Sequence, residues 1–297
     1  MRVGVVDVGA NTMRLLVATR DARGRIQAIR EDRTQLGLGE ELERSGGVIG
    51  DNKLEAVQAV ARMHVTRARK LGAGRVVVLV TSPGRQAANA AALLRALREG
   101  GGTEVRVLGA DEEGSLAWIG AVGATKGLPE TVAVCDVGGG SVQLVVGTTS
   151  GGPTWWRSVD LGSLRLTRRV FRHDPPTSAE LREATATVAR SFADVTPPLP
   201  LAALATGGTA RALRRIVGNE LGETELSVAL RKLAKRSSRE IAKDFGVDRA
   251  RARTITAGAI LLSAAQRRLA VPLVAARGGV REGAALMLLE EAAAATA

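Results

Sequence analysis

Tyrosine is absent from this 297-residue chain, tryptophan and phenylalanine occur three times each, and cysteine occurs once. At 2% aromatic content, base-stacking platforms are scarce, which disfavours single-stranded nucleic acid as a partner. A lone cysteine excludes an internal disulfide and fits a reducing, cytoplasmic compartment. Cys135 lies inside an apolar strand and reads as a buried, inert thiol. The two histidines, His64 and His173, are isolated, with no second metal-type ligand in helical register, so no zinc site is expected. No apolar run reaches membrane-spanning length and the first strand begins near Arg2, so neither a membrane segment nor a signal peptide is expected. There is also no Gly-Lys-Ser/Thr, hence no Walker loop.

With 45% hydrophobic and 24% charged residues, the composition is that of a globular protein, and its length leaves room for two domains with a core each. The net charge of +12 points toward a polyanion: nucleic acid, polyphosphate or a highly charged nucleotide. The aromatic scarcity leaves nucleic acid the least favoured of these. Arginine enrichment from a GC-rich genome is an alternative source of the excess.

Two stretches read as copies of one another. Val3–Ala18 is VGVVDVGANTMRLLVA and Val132–Gly147 is VAVCDVGGGSVQLVVG, matching at Val3/Val132, Val5/Val134, Asp7/Asp136, Val8/Val137, Gly9/Gly138, Leu15/Leu144 and Val17/Val146. Each is an apolar run, Asp-Val-Gly, a few small residues and a second apolar run, the pattern of strand–turn–strand. A carboxylate ending a buried strand is costly unless something charged binds there. The following glycines let successive N–H groups converge on an anion. The pair therefore predicts two phosphate loops facing one another across a cleft. Gly-Gly-Gly-Ser runs into a strand rather than a helix, so the dinucleotide-binding fingerprint fails.

Between and after the copies the pattern predicts a third strand and loop over Gly24–Gly50, then a helix over Asp51–Leu71 with Asp51 as N-cap. A strand follows at Arg75–Val80, a helix from Gln86 to Arg98, a strand at Glu104–Leu108 and a helix at Asp111–Val122. The second half gives a strand at Thr154–Val159, helices near Ser163–Phe171 and Ser178–Ala193, and a strand at Leu201–Ala205. Helices are then expected through Val217 and near Thr224–Lys235, Ser238–Phe245 and Asp248–Leu269, with a strand at Val271–Ala275 and a closing helix Arg281–Ala295. The expected division is 1–126, completed by the C-terminal helix 281–297, and 127–280.

Asp7 and Asp136, at matched turns, are candidates to position a metal ion or a water beside bound phosphates. The loops Gly9, Ala10, Asn11, Thr12 and Gly138, Gly139, Gly140, Ser141 are candidate phosphate cradles. Arg14 occupies the place of Gln143, from which a side chain reaches back toward the loop; an arginine there binds phosphate through a bidentate pair. Asp111, Glu112 and Glu113 either complement a helix dipole or supply a general base, and spacing does not choose among them. Gly207, Gly208 and Thr209 open a helix with free N–H groups, and the glycine pair before Arg281 leads a helix that places Arg281 near the cleft; all four are candidate substrate contacts, with tight helix–strand packing and a plain helix cap as the alternatives. Arg165, Arg168, Arg169 and Arg172 either guide a polyanion or form a solvated helix face.

Taken together the motifs resemble the exopolyphosphatase/guanosine pentaphosphate phosphohydrolase family, in its short two-domain form within the actin and sugar-kinase superfamily. The segments carrying the resemblance are Asp7–Arg14, Thr81–Asn89, Gly109–Leu116, Asp136–Ser141, Leu161–Thr167, Ala205–Ala210 and Val280–Gly283, in the family's order. The resemblance implies an α/β fold of two actin-like (ribonuclease H-like) domains, each a mixed sheet flanked by helices, around a central cleft, often as a homodimer. It implies Glu113 as catalytic base and Asp136 as holder of Mg2+ (or Mn2+) and the attacking water, with Glu113 the second candidate metal residue. Arg14 and Arg85 fall where phosphate is contacted. One departure is Gln143, where the family commonly has glutamate.

The implied activity is metal-assisted hydrolysis of the terminal phosphoanhydride of inorganic polyphosphate. Guanosine pentaphosphate (or tetraphosphate) is the rival substrate. A polyphosphate- or nucleotide-binding protein without turnover, favoured by Gln143, and a sugar-kinase-like phosphotransferase are the rival classes.

Overall fold

The computed structural model describes residues 1–294 and divides into two compact units: Met1–Ala124 joined by the chain from Gly278 onward, and Thr125–Arg277. The last residue of the expected closing helix, Ala295, and the 295–297 end of the expected first domain lie outside the described residues.

The first unit contains β1 (Val3–Val8), β2 (Thr12–Arg20), β3 (Ile26–Gln35), α1 (Leu38–Arg44), α2 (Asp51–Lys70), β4 (Arg75–Val80), α3 (Ser82–Gln86), α4 (Ala90–Gly101), β5 (Glu104–Val107) and α5 (Ala110–Gly123), plus the closing helix Val280–Ala294. Its sheet runs β3-β2-β1-β4-β5, with β2 antiparallel to both neighbours and β1, β4 and β5 parallel. Alternation sends Val6, Val8, Val78 and Val80 to the face covered by α2 and α4, while Val3, Val5, Val77 and Leu79 meet α5 and the closing helix. Burial on both faces is why β1 up to Asp7 and β4 from Val76 onward read as continuous apolar runs.

The second unit contains β6 (Thr131–Val137), β7 (Val142–Thr148), β8 (Gly152–Val159), α6 (Ser163–Val170), α7 (Ser178–Ser191), β9 (Ala202–Thr206), α8 (Gly207–Val217), β10 (Glu220–Leu221), α9 (Glu223–Leu233), α10 (Ser238–Phe245), α11 (Arg249–Ala252), α12 (Ile255–Leu269) and β11 (Leu273–Ala275). Its sheet, β8-β7-β6-β9-β11-β10, repeats the strand order of the first and adds the short β10 at one edge. Cys135, Val137, Leu144 and Ala205 pack with Leu166, Val188, Leu213 and Leu261 in its core. Burial pushes the Cys135 thiol far up from its usual range, so the sulfur stays protonated and inert.

Several expected elements are displaced. The helix expected at Gln86–Arg98 is two helices, because the Asn89 side chain bonds both the N–H and the C=O of Ile49 and interrupts the ladder. Pro83, in the first turn, lets α3 start early. Gly50 rather than Asp51 caps α2, with Asp51 inside the first turn. The expected helix Asp248–Leu269 breaks between α11 and α12, with Asp248 capping the N–H groups of Ala250 and Arg251. Helix α1 and strand β10 were not legible in the pattern.

Candidate active site

The two hairpin turns close in the same way and are anchored one position apart. Asp7 pairs with Arg14 and Asp136 with Gln143 in register. Gly9 N–H donates to Thr12 O, and Gly138 N–H to Ser141 O, each at 3.0 Å. The turn carbonyls are held by the chain that follows the third strand. Ala10 O accepts from Gly39, and Asn11 O from Leu36 and Gly37. Gly138 O accepts from Ser163, and Gly139 O from Leu164 and Arg165. In a planar trans peptide the next residue's N–H points opposite to the carbonyl. The N–H groups of Asn11 and Thr12, and those of Gly139 and Gly140, are thereby turned away from the anchoring segment, the arrangement an anion needs. In the second unit this anchoring needs Gly162, where a Cβ would sit 2.3 Å from Gly139 C.

In the first unit β1, β4 and β5 end level with one another: Val8 is in register with Val80, and Val80 with Val107. Their carboxyl ends lead into the turn, into α3 with Arg85, and into α5 with Glu113. Arg85 Nη2 donates to Glu113 Oε2 at 2.7 Å and Nη1 to Leu108 O at 2.6 Å. Among the three acids, Glu113 is the buried one, at 8% exposure. Glu112 accepts from Gly109 N–H and pairs with Arg106, while Asp111 is exposed. The structure thus separates three residues that spacing left equivalent.

Behind the first turn lies a charged cluster. Burial raises the pKa of Asp7, and the Arg281 and Arg14 guanidinium groups draw it back. Arg281, 4% exposed, donates to Leu15 O, Glu31 and Glu282. Arg281 is therefore a support for the hairpin and not the cleft-facing substrate contact expected of it.

In the second unit Gly207 lies against Asp136, where a Cβ would meet Oδ1 at 2.5 Å, and β9 brings Thr206 into register with Asp136. Thr209 is fully buried and its hydroxyl donates to Val137 O, so it anchors α8 and is withdrawn from any substrate. Gly208 faces the Arg251 guanidinium, which also donates to Thr209 Oγ1. Sequence reasoning missed Arg251, since nothing in its local pattern sets it apart from its arginine neighbours. Arg165, expected among the polyanion-guiding arginines, is 7% exposed and paired with Asp160, because it lies on the core side of α6. Arg172 caps α6 by donating to the carbonyls of Arg168 and Arg169. Only Arg168 and Arg169 of that group project from the exposed side of α6.

Gln143 is 2% exposed; its Nε2 donates to Ser141 Oγ at 2.8 Å and its Oε1 is buried with no hydrogen-bond partner. A buried amide oxygen without a partner is costly in isolation, by about 1–3 kcal/mol. Among the described residues no three Asp, Glu, His or Cys side chains gather as a metal site; this turn carries the Asp136 carboxylate, in register with Gln143, with the amide and Ser141 hydroxyl oxygens as a set of hard donors. Such a set fits Mg2+, which takes one or two protein carboxylates and fills the rest of its shell with water and substrate phosphate.

Each unit is thus an actin-like α/β domain, a mixed sheet whose first hairpin turn is shaped for phosphate. The sequence profile described as the Ppx/GppA phosphatase family matches residues 16–292. Exopolyphosphatase 1 of Mycobacterium tuberculosis is 30% identical to this chain, over 100% of it and 91% of that protein. The chain belongs to the Ppx/GppA phosphatase family. In structure it is similar to the Aquifex aeolicus member of the family, with a TM-score of 0.83 at 25% identity, covering 100% of this chain and 99% of that one. It shares its fold with an exopolyphosphatase from Cytophaga hutchinsonii, with a TM-score of 0.85 at 18% identity over 98% of each chain.

Proposed function

We propose that this chain is an exopolyphosphatase, releasing orthophosphate from the end of inorganic polyphosphate. The observation that carries the reading is the buried Glu113 carboxylate, bonded to Arg85 at strand ends that also carry a phosphate-shaped turn. Support comes from the family and from the full-length relatives named exopolyphosphatase.

In this reading the N–H groups of Asn11 and Thr12 bind phosphate in the first unit, where Arg14 and Arg85 balance its charge, and those of Gly139 and Gly140 are the phosphate cradle of the second. Glu113 accepts a proton from water as the water oxygen bonds to the terminal phosphorus. The bridging P–O bond breaks, orthophosphate leaves, and the shortened chain carries off the electron pair. Asp136 and the Gln143 carbonyl would hold Mg2+ (or Mn2+), which supplies Lewis-acid stabilisation of the developing charge when bound. Glu113 serves here as base. The first unit acts as the N-terminal actin-like domain, completed by the closing helix. A homodimer and a cytoplasmic location belong to the same proposal.

The test is orthophosphate release from polyphosphate and from guanosine pentaphosphate at equal terminal-phosphate concentration. Faster release from polyphosphate is expected. Release from the nucleotide alone would move the assignment to guanosine pentaphosphate, and binding of both with turnover of neither would make the chain a binding protein.

A further inference from the structure

The first unit holds a concavity on the side of α5 away from Glu113. It is a cavity of about 250 Å³ between β4, β5, α5 and the closing helix. Its floor is apolar, built from Val77, Leu79, Leu108, Leu116, Ile119 and Leu288. It exists because β5 presents Glu104 and Arg106 on this face while Val105 and Val107 pack on the other, so the sheet edge is left open beside the two helices. An apolar cavity of about 150 Å³ already admits benzene, so the volume suffices for a small organic body.

The rim settles the sign of the ligand. Arg75 is paired with Glu104 and Glu291, and Arg106 with Glu112. Both cations are thereby satisfied, and Asp111 remains as an exposed rim carboxylate that joins no ion pair among the described residues. In a chain of net charge +12, this mouth carries an excess of carboxylates. We infer that the groove is a binding site for a small amphipathic cation, an alkyl or aryl body carrying one ammonium, with the body on the apolar floor and the ammonium at Asp111. The inference is independent of the phosphatase reading, since it uses none of the residues placed in that chemistry.

The test is calorimetric titration of the full chain with n-butyl-, n-hexyl- and n-octylammonium, with n-hexanoate as the matched anion. One saturable site is expected, tightening by up to about fourfold per added methylene until the groove is full. Hexanoate should bind at least tenfold more weakly than hexylammonium. Asp111→Asn, at an exposed position, should weaken hexylammonium about threefold, as loss of an exposed ion pair does. Ser115→Phe, which fills the groove, should abolish binding. Of the four methionine methyl resonances, Met287, in the lining, should shift on titration. Hexanoate binding as tightly as hexylammonium, or no movement at Met287, overturns the inference. So does undiminished binding in a folded Ser115→Phe protein.

Discussion

The two hairpin turns share the closing hydrogen bond and the strand register but differ in what stands behind them, beginning with the anchored carbonyls, Ala10 and Asn11 in the first and, one position earlier, Gly138 and Gly139 in the second. In the first, the position facing the aspartate is Arg14, backed by Arg281, Glu31 and Glu282. In the second it is Gln143, neutral, buried and bonded only to Ser141 through its amide nitrogen. Backbone N–H groups are identical in any sequence, so each turn presents a pair of them away from its anchoring segment. The side chains then divide the remaining work. In the proposed reading the first unit brings cations and the Glu113 carboxylate to an anion, and the second would offer oxygens to a metal ion.

The largest effect expected from breaking this division is at Glu113. Glu113→Gln should lower phosphate release by two or more orders of magnitude, roughly the scale of general-base loss, while polyphosphate binding stays largely intact. Single-turnover release alongside equilibrium binding measures both.

Next comes a contrast between the glycines that precede the two anchoring helices. Gly162→Ala forces a Cβ into Gly139 and should cost about 1–3 kcal/mol through overpacking. Gly37, with φ of 67°, meets nothing, so Gly37→Ala should cost only the left-handed backbone term of about 1–2 kcal/mol. Chemical denaturation of both variants checks the ranking. Equal m-values with the larger midpoint change at Gly162 is the expected outcome.

Gln143 is the third point of contrast. Gln143→Glu adds a charge to the oxygen set and should lower the half-saturating Mg2+ concentration about tenfold; Gln143→Leu should raise it similarly. Metal titration followed by intrinsic fluorescence, apart from turnover, gives the readout.

The smallest expected effect concerns acid stability, where two carboxylates work in opposite directions. Glu180 accepts N–H bonds from Thr177, Arg172 and His173, which hold its pKa down to about 2. Its contribution is complete above the ordinary value of 4.5 and is lost as pH falls from there to about 2. Asp7, raised by burial, binds its proton more tightly when folded, so its contribution is present below 3.8 and is lost as pH rises through the folded value. Melting curves from pH 2 to 7 should show Glu180→Gln flattening the acid limb. Asp7→Asn should gain relative to wild type as pH rises above 3.8.

The hairpins, most strand positions and both turns were legible because their partners lie within a few residues, where alternation and glycine placement carry the information. The choice of Glu113 over Asp111 and Glu112 was not legible. It depends on which face of α5 meets Arg85, and Arg85 is brought there by a different strand. Arg165 and Thr209 illustrate the reverse error: an arginine in a basic run and a threonine after two glycines look available, yet each is folded into the core side of its helix.

By itself the sequence determined the duplication, the α/β class and the position of both turns, since a repeated apolar–Asp–Gly–apolar pattern marks a strand, a tight turn and a second strand. Only the tertiary structure decided which acid is buried, that Arg251 stands at Gly208, and that Gln143 keeps an unpartnered oxygen. Those outcomes rest on contacts between distant segments, and a side chain's burial and charge environment belong to the packed chain rather than to its neighbours in sequence.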